Sequence, residues 1–236
     1  MYDMYVPIVE NAESEYDFET AFDMVVKGLA PLGEEYRELL LRSRSERWMD
    51  VFETENKRSG AYSWGSYGTH PYVLLNHSNT THDVFTIAHE LGHAMHSYYS
   101  HGAQPHSKAN YSIFVAEVAS TVNEVLLLKY MISHATDKKA KKYLLTYYLD
   151  MFRTTLFRQT MFAEFEKLSH DMAAKGLPLT PKSLSDKYYK LNKKYYGKAV
   201  THDNLIRYEW ARIPHFYSAF YVYKYSTGIT AAVNIA

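Results

Sequence analysis

The stretch His89-Glu90-Leu91-Gly92-His93 constrains this chain more than any other, because it puts three ionisable side chains inside an apolar helical pattern. Val84, Ile87, Ala88, Leu91 and Met95 recur at helical spacing around it, and Asp83 stands where a carboxylate complements a helix N-terminus. A helix with those flanks is buried, so its polar groups require partners. Positions i and i+4 lie one turn apart on one face, so both imidazoles can reach a single ion. Glu90 is rotated by about 100° from each neighbour, which puts its carboxylate beside such an ion rather than on it. A catalytic zinc takes three protein ligands and keeps one position open for water. Glu117 is the expected third ligand: it lies 24 residues after His93 in Phe114-Val115-Ala116-Glu117-Val118-Ala119-Ser120, an apolar run in which a lone charge is costly. The pattern therefore implies one Zn2+ on His89, His93 and Glu117, with Glu90 as general base to a zinc-activated water.

Two other readings of these residues compete. Histidine occurs 12 times, and a chance H-E-x-x-H has a probability of roughly a few per cent; the apolar flanks speak against a solvated helix with unrelated histidines. A di-iron bundle would need a second Glu-x-x-His, and no other glutamate has histidine three positions on. Glu124 follows Glu117 by seven positions and shares its helix face, as a partner to a ligating histidine or as an ordinary buried acceptor. His96 reads as packing beside the site rather than a ligand. His70, His77, His82, His101 and His106 lack ligand spacing, and Asp203 reads as a cap.

With 236 residues the chain can bury a core without staples. It has no cysteine, which removes disulfides, thiolate ligands and thiol nucleophiles, and suits a reducing cytoplasm. Twenty-six basic residues balance 26 acidic ones, so no bulk field favours nucleic acid or an anionic membrane. The acidic start, MYDMYVPIVENAESEYDFE, lacks a signal peptide's pattern, and no apolar run reaches the ~18 residues of a membrane span.

Residues 17–46 read as two helices broken at Gly28-Leu29-Ala30-Pro31. Segments 48–52, 60–65 and 72–75 read as short strands of a small antiparallel sheet. Helices are expected over 83–100, 112–134 and 138–175, from Thr180-Pro181 to Gly197, and from Pro214 to the terminus. The fold class is mainly α, with a small β insert ahead of the metal motif.

Lys57-Arg58-Ser59-Gly60-Ala61-Tyr62, Asp83 through His96 and Phe114 through Thr121 resemble the M3 oligopeptidases, the oligoendopeptidase F branch above all. Ile213-Pro214-His215-Phe216-Tyr217 and Phe220-Tyr221-Val222-Tyr223-Lys224-Tyr225 resemble that branch's C-terminal substrate-binding helix. The resemblance implies a zincin-type catalytic domain over residues 1–236, a cytoplasmic zinc endopeptidase acting on short unstructured peptides in a deep helical channel. It implies His215 and Tyr223 as oxyanion donors and Tyr217 and Tyr221 as substrate-binding residues. The strand around Ala61–Tyr67, with Gly65 and Ser66, would pair with substrate backbone as a sheet edge. Family members are much longer, so the chain is expected to be a C-terminal portion that works with an N-terminal region, or, on a second reading, a peptide-binding zinc module that has lost turnover through truncation.

Overall fold

The computed structural model describes residues 8, 9 and 14–236, and most of the acidic N-terminal segment lies outside them. The helices follow start signals visible in the sequence. Asp17 caps α1 (Phe18–Gly28) by accepting from the Thr20 N–H, and α2 (Glu34–Ser45) follows Gly33. Thr80 and Asp83 form a reciprocal capping box on α3 (Thr81–Ala103), satisfying donors that a helix start leaves open. Ser112 caps α4 (Ile113–His134). The long helix expected over 138–175 is present as α5 (Lys138–Met151), a π-helical turn at Phe152–Phe157 and α6 (Arg158–Ala174). Ser226 Oγ donates to the Leu156 carbonyl at the widened turn (3.1 Å). Thr180 caps α7 (Pro181–Tyr196), and Gly197 ends it at φ 71°.

Two expectations need correction. The segment from Pro214 is no continuous helix: a 3₁₀ turn at Pro214–Tyr217 is followed by Phe220 at φ 56°, and only then by α8 (Tyr223–Ile235). The left-handed conformation costs a non-glycine residue energy, and here the Phe220 N–H is held by the buried Glu166 carboxylate at 2.7 Å. The sheet is mixed rather than antiparallel. Its strands β1 (Met49–Asp50), β2 (Tyr62–Trp64) and β3 (Tyr72–Leu74) lie in the order β1-β3-β2. The β2–β3 pair is antiparallel, with Ser63 opposite Val73, whereas β1 pairs parallel to β3, with Met49 opposite Val73. The chain leaves β1, runs out and back through β2, and β3 then enters between them in the direction of β1.

The described residues group into two compact units, one of Val9–Tyr148 with Gly228–Ala236 and the other of Leu149–Thr227 with Ile8. In the first, Phe22 and Val25 of α1, Ile87 and Leu91 of α3 and Val125 and Leu127 of α4 are fully buried together with Trp48 and Leu75. Each such side chain contributes about 1.5–3 kcal/mol on leaving water. In the second, Met161, Phe162, Phe165, Tyr188 and Leu191 form the core. No helix among the described residues is long and apolar enough to cross a membrane.

A buried charged group fixes the second unit. Glu209, 6% exposed, accepts from Arg158 at 2.5 Å and from the Tyr188 hydroxyl at 2.5 Å, and pairs with Arg212 at 2.8 Å. Burial pushes the Glu209 carboxyl up, but the Arg158 and Tyr188 hydrogen bonds outweigh it and leave the pKa lowered. A lowered folded pKa means stability that is present above the unfolded carboxylate value and is lost as pH falls through the folded one. Glu209→Gln is therefore expected to cost about 3–5 kcal/mol at pH 7, because it strands the buried Arg158 charge. Urea denaturation should show the gap between variant and wild type narrowing once pH falls below the ordinary carboxylate range of about 4; a gap independent of pH would contradict the assignment.

Candidate metal centre

The site forms where α3 crosses α4, both in the first unit. Gly92 permits the crossing: a Cβ there would lie 2.6 Å from the Ser120 Cα and 2.9 Å from the Ala119 carbonyl oxygen, which no other residue tolerates. Asn123 of α4, 1% exposed, donates to the Ala88 carbonyl at 3.0 Å and meets the Tyr36 hydroxyl, tying α2, α3 and α4 together one residue before His89. The next residue, Glu124, accepts a very short hydrogen bond from His89 Nδ1. That bond turns His89 Nε2 toward the neighbouring groups. Nε2 of His89 lies 3.1 Å from Nε2 of His93, and Glu117 Oε2 lies 3.6 Å and 3.8 Å from those two nitrogens.

Three lone-pair donors thus converge, and His89, His93 and Glu117 are the group among the described residues whose ligand atoms can share one metal ion. Ligands about 2.0–2.1 Å from a tetrahedral zinc stand about 3.3 Å apart, which the observed spacing brackets. Glu90, 7% exposed, stands beside this group, and its Oε2 is buried without a hydrogen-bond partner. An unpartnered buried carboxylate oxygen is costly in a finished core and suits a site where water or a reacting group completes the set. The donor chemistry and the orphan oxygen both fit a divalent cation.

The chain's own charges explain the titration of the site. Burial pushes Glu90 up to about 7, and the Glu117 and Glu124 charges add to this against the opposing pull of His89. For His89 burial acts downward, but the Glu124 hydrogen bond and the surrounding carboxylates raise it to about 9. Burial, with His89 and His96 nearby, holds His93 down at about 3. Three neighbouring groups pushed apart in this way make this a candidate functional site.

A cavity of about 420 Å³ adjoins Glu90 and His89, lined also by Gly60, Ala61, Phe85 and Tyr147. Phe85 and Tyr147 stack with ring centroids 4.5 Å apart. The β2 strand just beyond Ala61 is the edge of its sheet, paired with β3 on one side. Gly65 presses on α3: a Cβ would lie 2.6 Å from Ser97 Cβ. Ser66 is exposed, and its carbonyl accepts from the Thr69 N–H at 3.2 Å. His96 is not drawn into the ligand set; it stacks on Tyr111 at 3.7 Å. Gly228 of α8 packs on Glu117, where a Cβ would lie 3.2 Å from Glu117 Cβ.

His215, Tyr217, Tyr221 and Tyr223 belong to the second unit. There His215 Nε2 lies 3.4 Å from the hydroxyl of Tyr225, and the Tyr221 ring stands 5.7 Å from the imidazole. Tyr217 is 90% exposed. The family resemblance points to Tyr223 beside His215, whereas the hydroxyl near its Nε2 is that of Tyr225.

A sequence profile described as Peptidase family M3 matches residues 9–236. The chain is 53% identical over 232 residues to oligopeptidase PepF of Bacillus subtilis, covering 98% of this chain and 35% of that protein. It is 44% identical over 236 residues to the chromosomal oligoendopeptidase F of Lactococcus lactis subsp. cremoris, covering 100% and 39%. The crystal structure of oligoendopeptidase-F from Enterococcus faecium superposes with a TM-score of 0.66 at 38% identity, over 100% of this chain and 34% of that one. The chain spans little more than a third of the length of these relatives.

Proposed function

Because this chain belongs to peptidase family M3, we propose that it is the catalytic portion of a zinc-dependent oligopeptidase that hydrolyses short unstructured peptides in the cytoplasm. His89, His93 and Glu117 hold the zinc, and Glu124 orients His89 through Nδ1. When bound, the cation supplies Lewis-acid polarisation of a water and of the scissile carbonyl oxygen. Glu90 takes the proton of that water on its carboxylate as the new C–O bond forms, and returns it to the amine nitrogen as the C–N bond breaks. The observation that carries this reading is the buried, unpartnered Glu90 Oε2 beside the three convergent ligands: a zinc module that only binds peptide has no need of a free carboxylate there. The β2 edge, reached through Gly60 and Ala61 in the cavity wall, is the surface on which substrate backbone adds as a strand. His215 donates to the developing oxyanion, with a tyrosine of the 221–225 run.

The test is hydrolysis of a quenched-fluorescent nonapeptide by the 236-residue chain, with metal content measured before chelation, after it and after zinc is returned. Cleavage that disappears and returns with the metal is expected. A chain that retains one zinc and cleaves nothing would leave it a binding module. On the same assay Glu117→Ala is expected to lose zinc on dialysis, since two protein ligands remain. Glu124→Ala is expected to weaken zinc retention about 10–100-fold, as loss of a ligand-orienting carboxylate does. Zinc content indifferent to Glu117 but abolished without Glu124 would reassign the third ligand.

A further inference from the structure

We propose that the cavity between α6, α7 and the 204–217 segment binds a basic group, an ammonium or guanidinium at the end of an unbranched alkyl chain. Five other carboxylates of this unit have cations of their own, Asp150 with Arg153, Glu164 with Lys194, Asp171 with Lys167, Asp186 with Lys182 and Arg207, and Glu209 with Arg158, while Asp203 caps the next turn by accepting from the Leu205 N–H. Glu166 is 4% exposed, yet it makes no ion pair among the described residues. Its Oε1 is engaged by the Phe220 N–H, while its Oε2 makes no hydrogen bond among the described residues. A carboxylate this buried with an acceptor oxygen unused lacks the donors that buried polar groups ordinarily have.

The space beside it suits one. Glu166 lines a cavity of about 260 Å³ whose walls include Phe165, Trp210, Phe216 and Tyr217. Phe165 lies 6.1 Å from Trp210 and 5.5 Å from Phe216, ring centroid to ring centroid, and the indole is fixed by its N–H donating to Ser185 Oγ at 3.1 Å. His170, Leu179, Ala211 and Tyr217 are the exposed part of the lining. Aromatic faces around a single buried carboxylate attract a cation twice over, through the ring quadrupoles and through a charge-assisted hydrogen bond. The volume lies below the ~300–1,000 Å³ of sites for drug-sized molecules, so the occupant is one side chain or a small amine. Lysine or arginine of a peptide and a free alkylamine share this chemistry. The site stands on the geometry of the second unit alone and is independent of the hydrolytic reading.

The probes are butylguanidinium chloride, N-acetyl-arginine amide and, as an uncharged control with the same alkyl chain, butanol, titrated into the 236-residue chain at constant ionic strength and followed by the Trp210 indole N–H resonance. Saturable binding of butylguanidinium without a matching response to butanol is expected. Binding by N-acetyl-arginine amide as well identifies a peptide side chain as an occupant; binding by butylguanidinium alone identifies a free amine. Glu166→Gln keeps an oxygen to accept from the Phe220 N–H, so the fold is retained while the charge is lost, and affinity is expected to fall about tenfold or more. Tyr217→Ala, at a residue too exposed to affect folding, is expected to weaken binding several-fold. Absence of saturable binding, equal response to butanol, or unchanged affinity in Glu166→Gln would overturn the proposal.

Discussion

Glu90→Gln is expected to retain one zinc per chain and to lower peptide hydrolysis by at least ~10²–10⁴-fold, the contribution of a positioned acid–base group. The amide is nearly the same size and lies off the ligand set, so the spacing of His89, His93 and Glu117 is preserved. What is lost is a group that accepts a proton and gives it back. A buried carboxylate beside the ligand set can take a proton from water and release it again, which the amide cannot. The decisive measurement pairs kcat with zinc content on the same sample. Full zinc with collapsed kcat supports the role given to Glu90. Wild-type turnover in a preparation shown free of contaminating peptidase would remove it, and loss of zinc would mean that Glu90 also shapes the ligand set.

The convergence of His89, His93 and Glu117 in a candidate metal centre was legible in the sequence because its information is local. Helical spacing fixes His89 against His93 and Glu117 against Glu124, and an apolar frame around charged residues demands that two such faces meet. The structure brings all four together. What the sequence does not carry is the outcome of competition between distant segments. Strands of two or three residues hold no pattern that sets direction, so β1 pairs parallel to β3 where an antiparallel sheet was expected. Phe220 interrupts the C-terminal segment without a glycine or asparagine to announce it, because the conformation is imposed from outside by Glu166, 54 residues away. Glu166 itself looks like any acidic residue on a helix until its burial is seen.

The break at Phe220 also decides the last expected result, which concerns the hydroxyl that assists His215. The family resemblance of the Phe220–Tyr225 run points to Tyr223. With α8 beginning only at Tyr223, the hydroxyl that reaches His215 Nε2 is that of Tyr225. If this pair donates to the oxyanion, its hydrogen bonds matter more in the transition state than in the ground state, so removal lowers kcat and leaves KM nearly unchanged. Tyr225→Phe is expected to lower kcat by ~10²–10³, the effect of losing one oxyanion donor, while Tyr223→Phe stays within a few-fold of wild type. His215→Ala should match Tyr225→Phe, and the double variant should lose little more than either alone, because the two act as one unit. A large kcat effect in Tyr223→Phe with none in Tyr225→Phe would restore the register read from the sequence and would mean that the His215–Tyr225 contact is packing. Silence in all of these variants would remove the C-terminal segment from the chemistry.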